Sequence, residues 1–149
     1  MIPPHVPHAY IKGELCECMI NSDNVVRGGL TPKQKDISTL LQILPYHDTR
    51  DQLPLLPFSL SEDIQEYKPD SYEELRVYRV NTSRSDMVEL PKFVYFAMII
   101  VLEGGAETES GVDMPLYSTW YAMPGTTLKL RKKTGDVLTV FIANPCAKY

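Results

Sequence analysis

The sequence is short of several things, and each shortage excludes a class of protein. It has 3 cysteines in 149 residues, two of them as Cys16-x-Cys18, which is no disulfide framework and suits a reducing compartment. Its longest apolar run, 93–102, is half of the roughly 20 residues that a bilayer-spanning helix needs. The opening residues, MIPPHVPHAY, hold neither a charged n-region nor an apolar h-region. Basic runs are missing apart from 129–133, and 15 Lys and Arg stand against 19 Asp and Glu for a net charge of −4. A nucleic-acid partner is therefore not expected, nor a membrane one, and the expected location is the cytoplasm. The length suits one good core, or one domain with part of another, since domains commonly run about 100 to 150 residues.

What the chain does have is a concentration of chemistry over residues 4–33, PHVPHAYIKGELCECMINSDNVVRGGLTPK. Its alternation predicts two short strands, 9–12 and 14–20, around a bend at Gly13. His8 and Tyr10, two residues apart, would share one strand face. Leu15, Glu17 and Met19 would share a face of the second strand, with Cys16, Cys18 and Ile20 on the other. Glu17 then becomes a carboxylate among apolar neighbours, and the two cysteines become core or half-buried thiols. Ser22, Asp23 and Asn24 are turn residues, and Gly28 and Gly29 let the backbone bend after Arg27.

Each of these side chains has an ordinary reading beside a chemical one. His8 is a polar strand residue or a zinc ligand, since zinc takes imidazole nitrogen readily. Arg27 is one half of a surface ion pair with Asp23 or Glu17, or a fork for phosphate or an enediolate oxygen. Tyr10 packs with its hydroxyl in water or hydrogen-bonds a substrate. Lys33 is a solvated lysine before a helix or a contact to sugar or phosphate. His5, three residues from His8, would face away from it in a strand and reads as a solvated loop imidazole.

The ordered set Pro3, Pro7, His8, Ala9, Tyr10, Gly13, Glu17, Met19, Ser22, Asp23, Asn24, Val26, Arg27, Gly29, Thr31, Pro32 and Lys33 fills every fixed position of PxxxPHAYxxGxxxExMxxSDNxVRxGxTPK. That pattern is the signature of the type I phosphomannose isomerases, which the first quarter of the chain closely resembles. The resemblance implies a zinc-dependent aldose-ketose isomerase that interconverts mannose 6-phosphate and fructose 6-phosphate in GDP-mannose biosynthesis. In such a reaction a base moves a proton between C2 and C1 through a cis-enediol while a Lewis acid polarises the oxygens. It implies His8 as a Zn2+ ligand, Arg27 as the catalytic arginine, and Tyr10, Glu17, Asp23 and Lys33 as candidates for binding the sugar phosphate. Glu17 and Lys33 both stay open as the base. The family's other zinc ligands, a Gln-x-His pair and a Glu, fall upstream of the matched stretch. The expectation is thus a monomeric C-terminal portion of the isomerase, inactive on its own. A second reading, from another class, is a non-catalytic cupin fragment that serves as a sugar-phosphate-binding or interaction module.

Further along, Asp36 caps a predicted helix whose Ile37, Leu40, Leu41 and Leu44 follow helical spacing until Pro45 stops it. Residues 46–70, rich in proline and acid, read as a long loop with one brief strand at 53–60. After that the chain is β in character, with strands at 72–80, 93–102, 118–123, 127–131 and 137–143. Turns are expected at Gly104 and Gly105, at Pro124 and Gly125, and at Thr134, Gly135 and Asp136. Many short strands without helices between them suggest a jelly roll or barrel. Leu102, Glu103 and Gly104, followed by the 121–126 segment, resemble the LEGxG and VPAGT rhythm of cupins. A cupin metal site would need histidines on these strands, and none follows His47, so this barrel reads as structural. The expected fold class is all-β. A cupin-like jelly roll over 47–149 follows the last strands of a second, truncated cupin at 1–31 and a connecting segment with a helix at 32–46.

Overall fold

The computed structural model describes residues 2, 6–19, 25–45, 56–68 and 74–146. The chain divides into two units, Met1–Leu55 and Leu56–Tyr149.

The first unit is held by local devices around one helix, α1, Ile37–Ile43. Asp36 caps it as the sequence suggests. Its carboxylate accepts from the Thr39 N–H at 2.9 Å and from the Thr39 hydroxyl at 2.6 Å, satisfying one of the donors that a helix start leaves open. The Leu44 N–H closes the other end on the Leu40 carbonyl at 2.9 Å, just before Pro45. The Asp36 N–H also donates to the Arg27 carbonyl at 2.8 Å. Leu40 packs so closely on Gly28 that a Cβ there would lie 2.3 Å from Leu40 Cδ2. The helix is thereby pinned to the backbone at 27–28.

The strands expected at 9–12 and 14–20 are not formed. Gly13 does bend the chain, with φ +140°, but among the described residues no strand includes any of 6–19. Alternation only directs side chains to two faces; a strand also needs a neighbour to take its N–H and C=O groups. Without one, Leu15, Glu17, Met19, Cys16 and Cys18 are all exposed.

The second unit is built of antiparallel strands: β1 (Phe58–Ser59), β2 (Ile64–Tyr67), β3 (Leu75–Thr82), β4 (Met87–Glu89), β5 (Ala97–Thr108), β6 (Asp113–Met114), β7 (Thr119–Ala122) and β8 (Lys129–Pro145). They run in the order β1-β2-β3-β8-β5-β6, with β4 also on β8 and β7 also on β5. β8 pairs with β4 through Met87↔Arg131 and with β3 from Thr82↔Leu138 to Leu75↔Pro145. Its other edge follows β5 from Thr108↔Leu130 to Met98↔Ala143. Two long strands thus serve both halves of the barrel, which is a cupin-like jelly roll.

The sequence reading differs from this arrangement at three places. The expected strands 127–131 and 137–143 are one strand, β8. Gly104, Gly105 and Gly135 are corners inside continuous strands, not turns between strands. The brief strand expected at 53–60 is shortened to β1, Phe58–Ser59, which pairs with β2, residues 53–55 lying outside the described set. The corners have a steric cause. The β5–β8 register shifts repeatedly between Val101 and Ala106, and Gly104 and Gly135 there adopt φ +67° and +83°. A Cβ on Gly135 would sit 3.0 Å from Gly104 Cα, and one on Gly104 would meet the Val137 carbonyl oxygen at 2.4 Å and that of Thr134 at 2.7 Å. Only glycine lets the two backbones approach this closely while bending.

Side chains fill the barrel interior. Val80, Val101, Leu130, Leu138, Val140 and Ile142 are fully buried, and Phe93 tilts against Tyr78 with ring centroids 6.2 Å apart. That burial pushes the Tyr78 phenol above its ordinary pKa, against a smaller opposing effect from its hydrogen bond with Arg76. On the outer face the Thr139 hydroxyl donates to Glu103 at 2.9 Å and accepts from the Asn81 amide at 2.8 Å. This chain of bonds ties β3, β8 and β5 together. An eight-stranded barrel is just wide enough for side chains to fill, and apolar ones do so here.

Two predictions follow from these local devices. Gly104→Ala should cost about 3 kcal/mol in denaturant unfolding, combining left-handed strain with overpacking. Gly111→Ala shares the positive φ but meets nothing within 4 Å, and should cost about 1 kcal/mol; equal losses would refute the corner. The second concerns Asp36, whose pKa is lowered by its side-chain bond to Thr39 and then by the Thr39 backbone bond. A folded pKa below the unfolded one means that the cap is fully present at neutral pH and lost as pH falls through the folded value, below about 3.9. Protection of the Thr39 amide against hydrogen exchange should therefore vanish in acid, and should already be absent at pH 7 in Asp36→Ala.

Candidate functional site

The residues singled out by the sequence fall into two small frames of the first unit. In one, His8 Nδ1 lies 2.9 Å from the Val6 carbonyl oxygen. A carbonyl only accepts, so Nδ1 is the donor, and in the neutral imidazole Nε2 is left with its lone pair free. His8 and Tyr10 also touch, with ring centroids 5.7 Å apart and planes tilted 52°. This is the neighbourhood that the two-residue spacing suggests, reached without a strand. Both rings are exposed, and Tyr10 opens onto a hollow of about 400 Å³ formed by residues 9–15.

The other frame carries Arg27. Its carbonyl is bonded to the N-cap of α1, its neighbour Gly28 lies under Leu40, and the residue is half-buried. This link between Arg27 and the helix start escapes sequence reasoning, although an Asp at an N-cap and a glycine beside the arginine were both visible. Lys33 follows in the same frame. Its N–H donates to the Thr31 hydroxyl at 3.1 Å, a local turn around Pro32, and its side chain is exposed.

Glu17 is exposed, and the apolar surroundings expected for it are not formed. Asp23, His5 and His47 lie outside the described residues. Among the described residues His8 is therefore the only imidazole, and no group of three or more His, Cys, Asp or Glu is disposed to hold a metal ion. His8 alone is oriented as a ligand is, with its second nitrogen fixed by a carbonyl. The described residues do not by themselves make up the three protein donors of a catalytic zinc. A larger hollow of about 570 Å³ in the second unit, bordered by Ser61, Asp63, Met87 and Glu89, contains none of the sequence candidates.

No protein-family profile matches the chain. It is 35% identical over 111 residues to a probable mannose-6-phosphate isomerase from Caenorhabditis elegans, an alignment covering 74% of this chain and 26% of that protein. A probable mannose-6-phosphate isomerase from Dictyostelium discoideum is 60% identical over 47 residues, 32% of this chain and 10% of the relative. Among solved structures, a variant of phosphomannose isomerase from Salmonella typhimurium superposes with a TM-score of 0.66 over 85% of this chain and 32% of that one. At 19% identity this last likeness concerns the fold. The chain spans about a quarter of the length of the curated relatives it matches. Over 74% of its length the chain is thus similar to part of a mannose-6-phosphate isomerase.

Proposed function

We propose that the chain contributes part of a zinc-dependent mannose-6-phosphate isomerase site, interconverting mannose 6-phosphate and fructose 6-phosphate for GDP-mannose synthesis in the cytoplasm. The observation that carries this reading is the 35% identity to such an isomerase over 74% of the chain. Zn2+ would supply Lewis-acid polarisation of the substrate oxygens when bound. His8 would offer Nε2 to it, with further donors needed beyond those that the described residues bring together. Arg27, anchored through its own backbone to α1, would hold its guanidinium at the oxygen that gains charge as the enediolate forms. Tyr10, on the His8 ring, and Lys33 would contact the sugar phosphate. Glu17 and Asp23 would orient Arg27 or carry the proton, with Glu17 and Lys33 as alternative bases. In this proposal the division falls at 1–31 for the end of a truncated catalytic cupin, 32–46 for the connecting segment with its helix and Lys33, and 47–149 for a supporting barrel, with a monomeric chain that is inactive alone.

The second reading, a non-catalytic module that binds sugar phosphate or a partner, is favoured by the incomplete donor set. Two assays separate the readings. The isolated chain should show no interconversion of the two hexose phosphates above background. A chimera in which this chain replaces the aligned quarter of the C. elegans relative should turn over, and Arg27→Ala in that chimera should lower kcat by about 10²- to 10³-fold. A folded chimera with no activity would favour the module; an Arg27→Ala chimera of undiminished kcat would remove Arg27 from the chemistry.

A further inference from the structure

Four residues of the first unit close a ring of contacts around Arg27. The Asp36 N–H donates to the Arg27 carbonyl at 2.8 Å, and the Asp36 carbonyl accepts from the Leu40 N–H at 3.1 Å. The Leu40 side chain then returns to Gly28, the residue bonded to Arg27, and its Cδ2 fills the place that a Cβ on Gly28 would need. Leu40 is held at both of its own backbone groups, since its carbonyl accepts from the Leu44 N–H at 2.9 Å. Of the apolar residues of α1, Ile37, Leu41 and Ile43 are more than half exposed, whereas Leu40 is half-buried.

Why residue 28 is a glycine decides what the ring does. A glycine serves either a left-handed backbone or a close approach. Gly28 has no left-handed φ, unlike Gly13, so close approach is the reason, and its bare Cα is the seat of Leu40. The Arg27 carbonyl and the Cα atoms of both residues lie in one peptide plane. A hydrogen bond to the carbonyl oxygen alone leaves that plane free to pivot about the O···N line. A second contact at Gly28 Cα, away from that line, removes the pivot. Arg27 Cα, from which the long side chain departs, is held with the plane.

We propose that Leu40 is a positioning residue for Arg27, with Gly28 as its seat and the Asp36 N–H as the second point of support. The proposal rests on Arg27 acting as the isomerase arginine. Leu40 fixes where the guanidinium starts from and acts on the reaction only through it. An arginine that meets charge developing in the transition state affects kcat and kcat/KM together, so disturbing Leu40 should lower kcat and leave KM nearly constant.

The test uses the full-length chimera with the C. elegans relative. Leu40→Ala and Gly28→Ala should each lower kcat by about tenfold or more, since a misplacement of about 1 Å can cost about 10²-fold. When the two substitutions are combined, the methyl group added at 28 occupies space that Leu40 vacates, and kcat should recover above that of either single variant. A leucine that merely stabilised α1 would not be replaced by a methyl group beside the arginine. The geometry has its own readout in the parent chain, where hydrogen exchange of the Asp36 amide should speed up in both single variants and slow again in the double one. Undiminished kcat in Leu40→Ala and Gly28→Ala, beside an Arg27→Ala chimera that has lost it, would overturn the proposal and leave the isomerase reading standing. Losses that simply add in the double variant would overturn it as well. A folded chimera that is inactive, or whose kcat survives Arg27→Ala, would remove that reading and the proposal with it.

Discussion

The pairing of β5 with β8 is the constraint on which the rest of the barrel depends. β3 and β4 attach to one edge of β8, β6 and β7 to the far edge of β5, and β2 and β1 reach the sheet only through β3. Both long strands must bend to serve the two halves, and they bend together where Gly104 faces Gly135. The magnitudes show what maintains the arrangement. Leu138, Val140 and Ile142 of β8 are fully buried, and each contributes about 1.5 to 3 kcal/mol by leaving water. The rim ion pairs, such as Lys129–Glu109 at 3.3 Å and Lys133–Asp113 at 3.2 Å, join largely exposed groups and contribute at most about 1 kcal/mol each. Apolar burial along β8 therefore decides stability, and the ion pairs at most favour the register that burial already sets.

The first unit follows a different logic. Its helix buries no residue, and Ile37, Leu41 and Ile43 are each more than half exposed. Among the described residues, short-range contacts contribute to its order: Asp36 to Thr39, Asp36 to Arg27, Leu40 over Gly28, and His8 to Val6. A helix of seven residues is too short to persist on propensity alone, so the cap and the Leu40 contact matter more here than they would in a long helix. Among the described residues, the candidate side chains thus lie in the unit with few buried residues. Substitutions in β5 or β8 should be felt as stability, and those at the exposed His8, Tyr10 or Lys33 should cost the fold little.

This contrast explains what could be read from the sequence. The helix was legible to within one residue, its N-cap at Asp36 included, because its determinants, an aspartate cap, a 3.6-residue apolar period and a terminal proline, are local. The β character of 74–146 and the cupin-like fold were legible from β-branched and aromatic runs punctuated by glycine and proline. The glycines themselves were misread, because a strand corner and a hairpin turn call for the same residue. Only the partner strand, distant in sequence, distinguishes them. The same limit undid the strands at 9–12 and 14–20, where the alternation is present but no strand forms among the described residues. Short strands such as β4 and β6 carry too few residues to show a period at all.

Candidate residues could be named from the sequence, but their arrangement could not, for a related reason. A signature records which side chains occur at which spacing, a property of the chain alone. A catalytic centre is a property of convergence, and convergence needs elements that tie distant residues together. His8 is fixed by a carbonyl two residues away and Arg27 by an amide nine residues away, and these two frames share no residue. Each is prepared separately: His8 in tautomer and orientation, Arg27 in the position of its backbone. Local bonds can set these features before any ligand arrives, whereas bringing an imidazole and a guanidinium to one substrate requires a packed element spanning both. Fixing the orientation of each group in advance reduces the ordering cost left for assembly. His8 and the Arg27 backbone are thus each held by a local bond, in two separate frames.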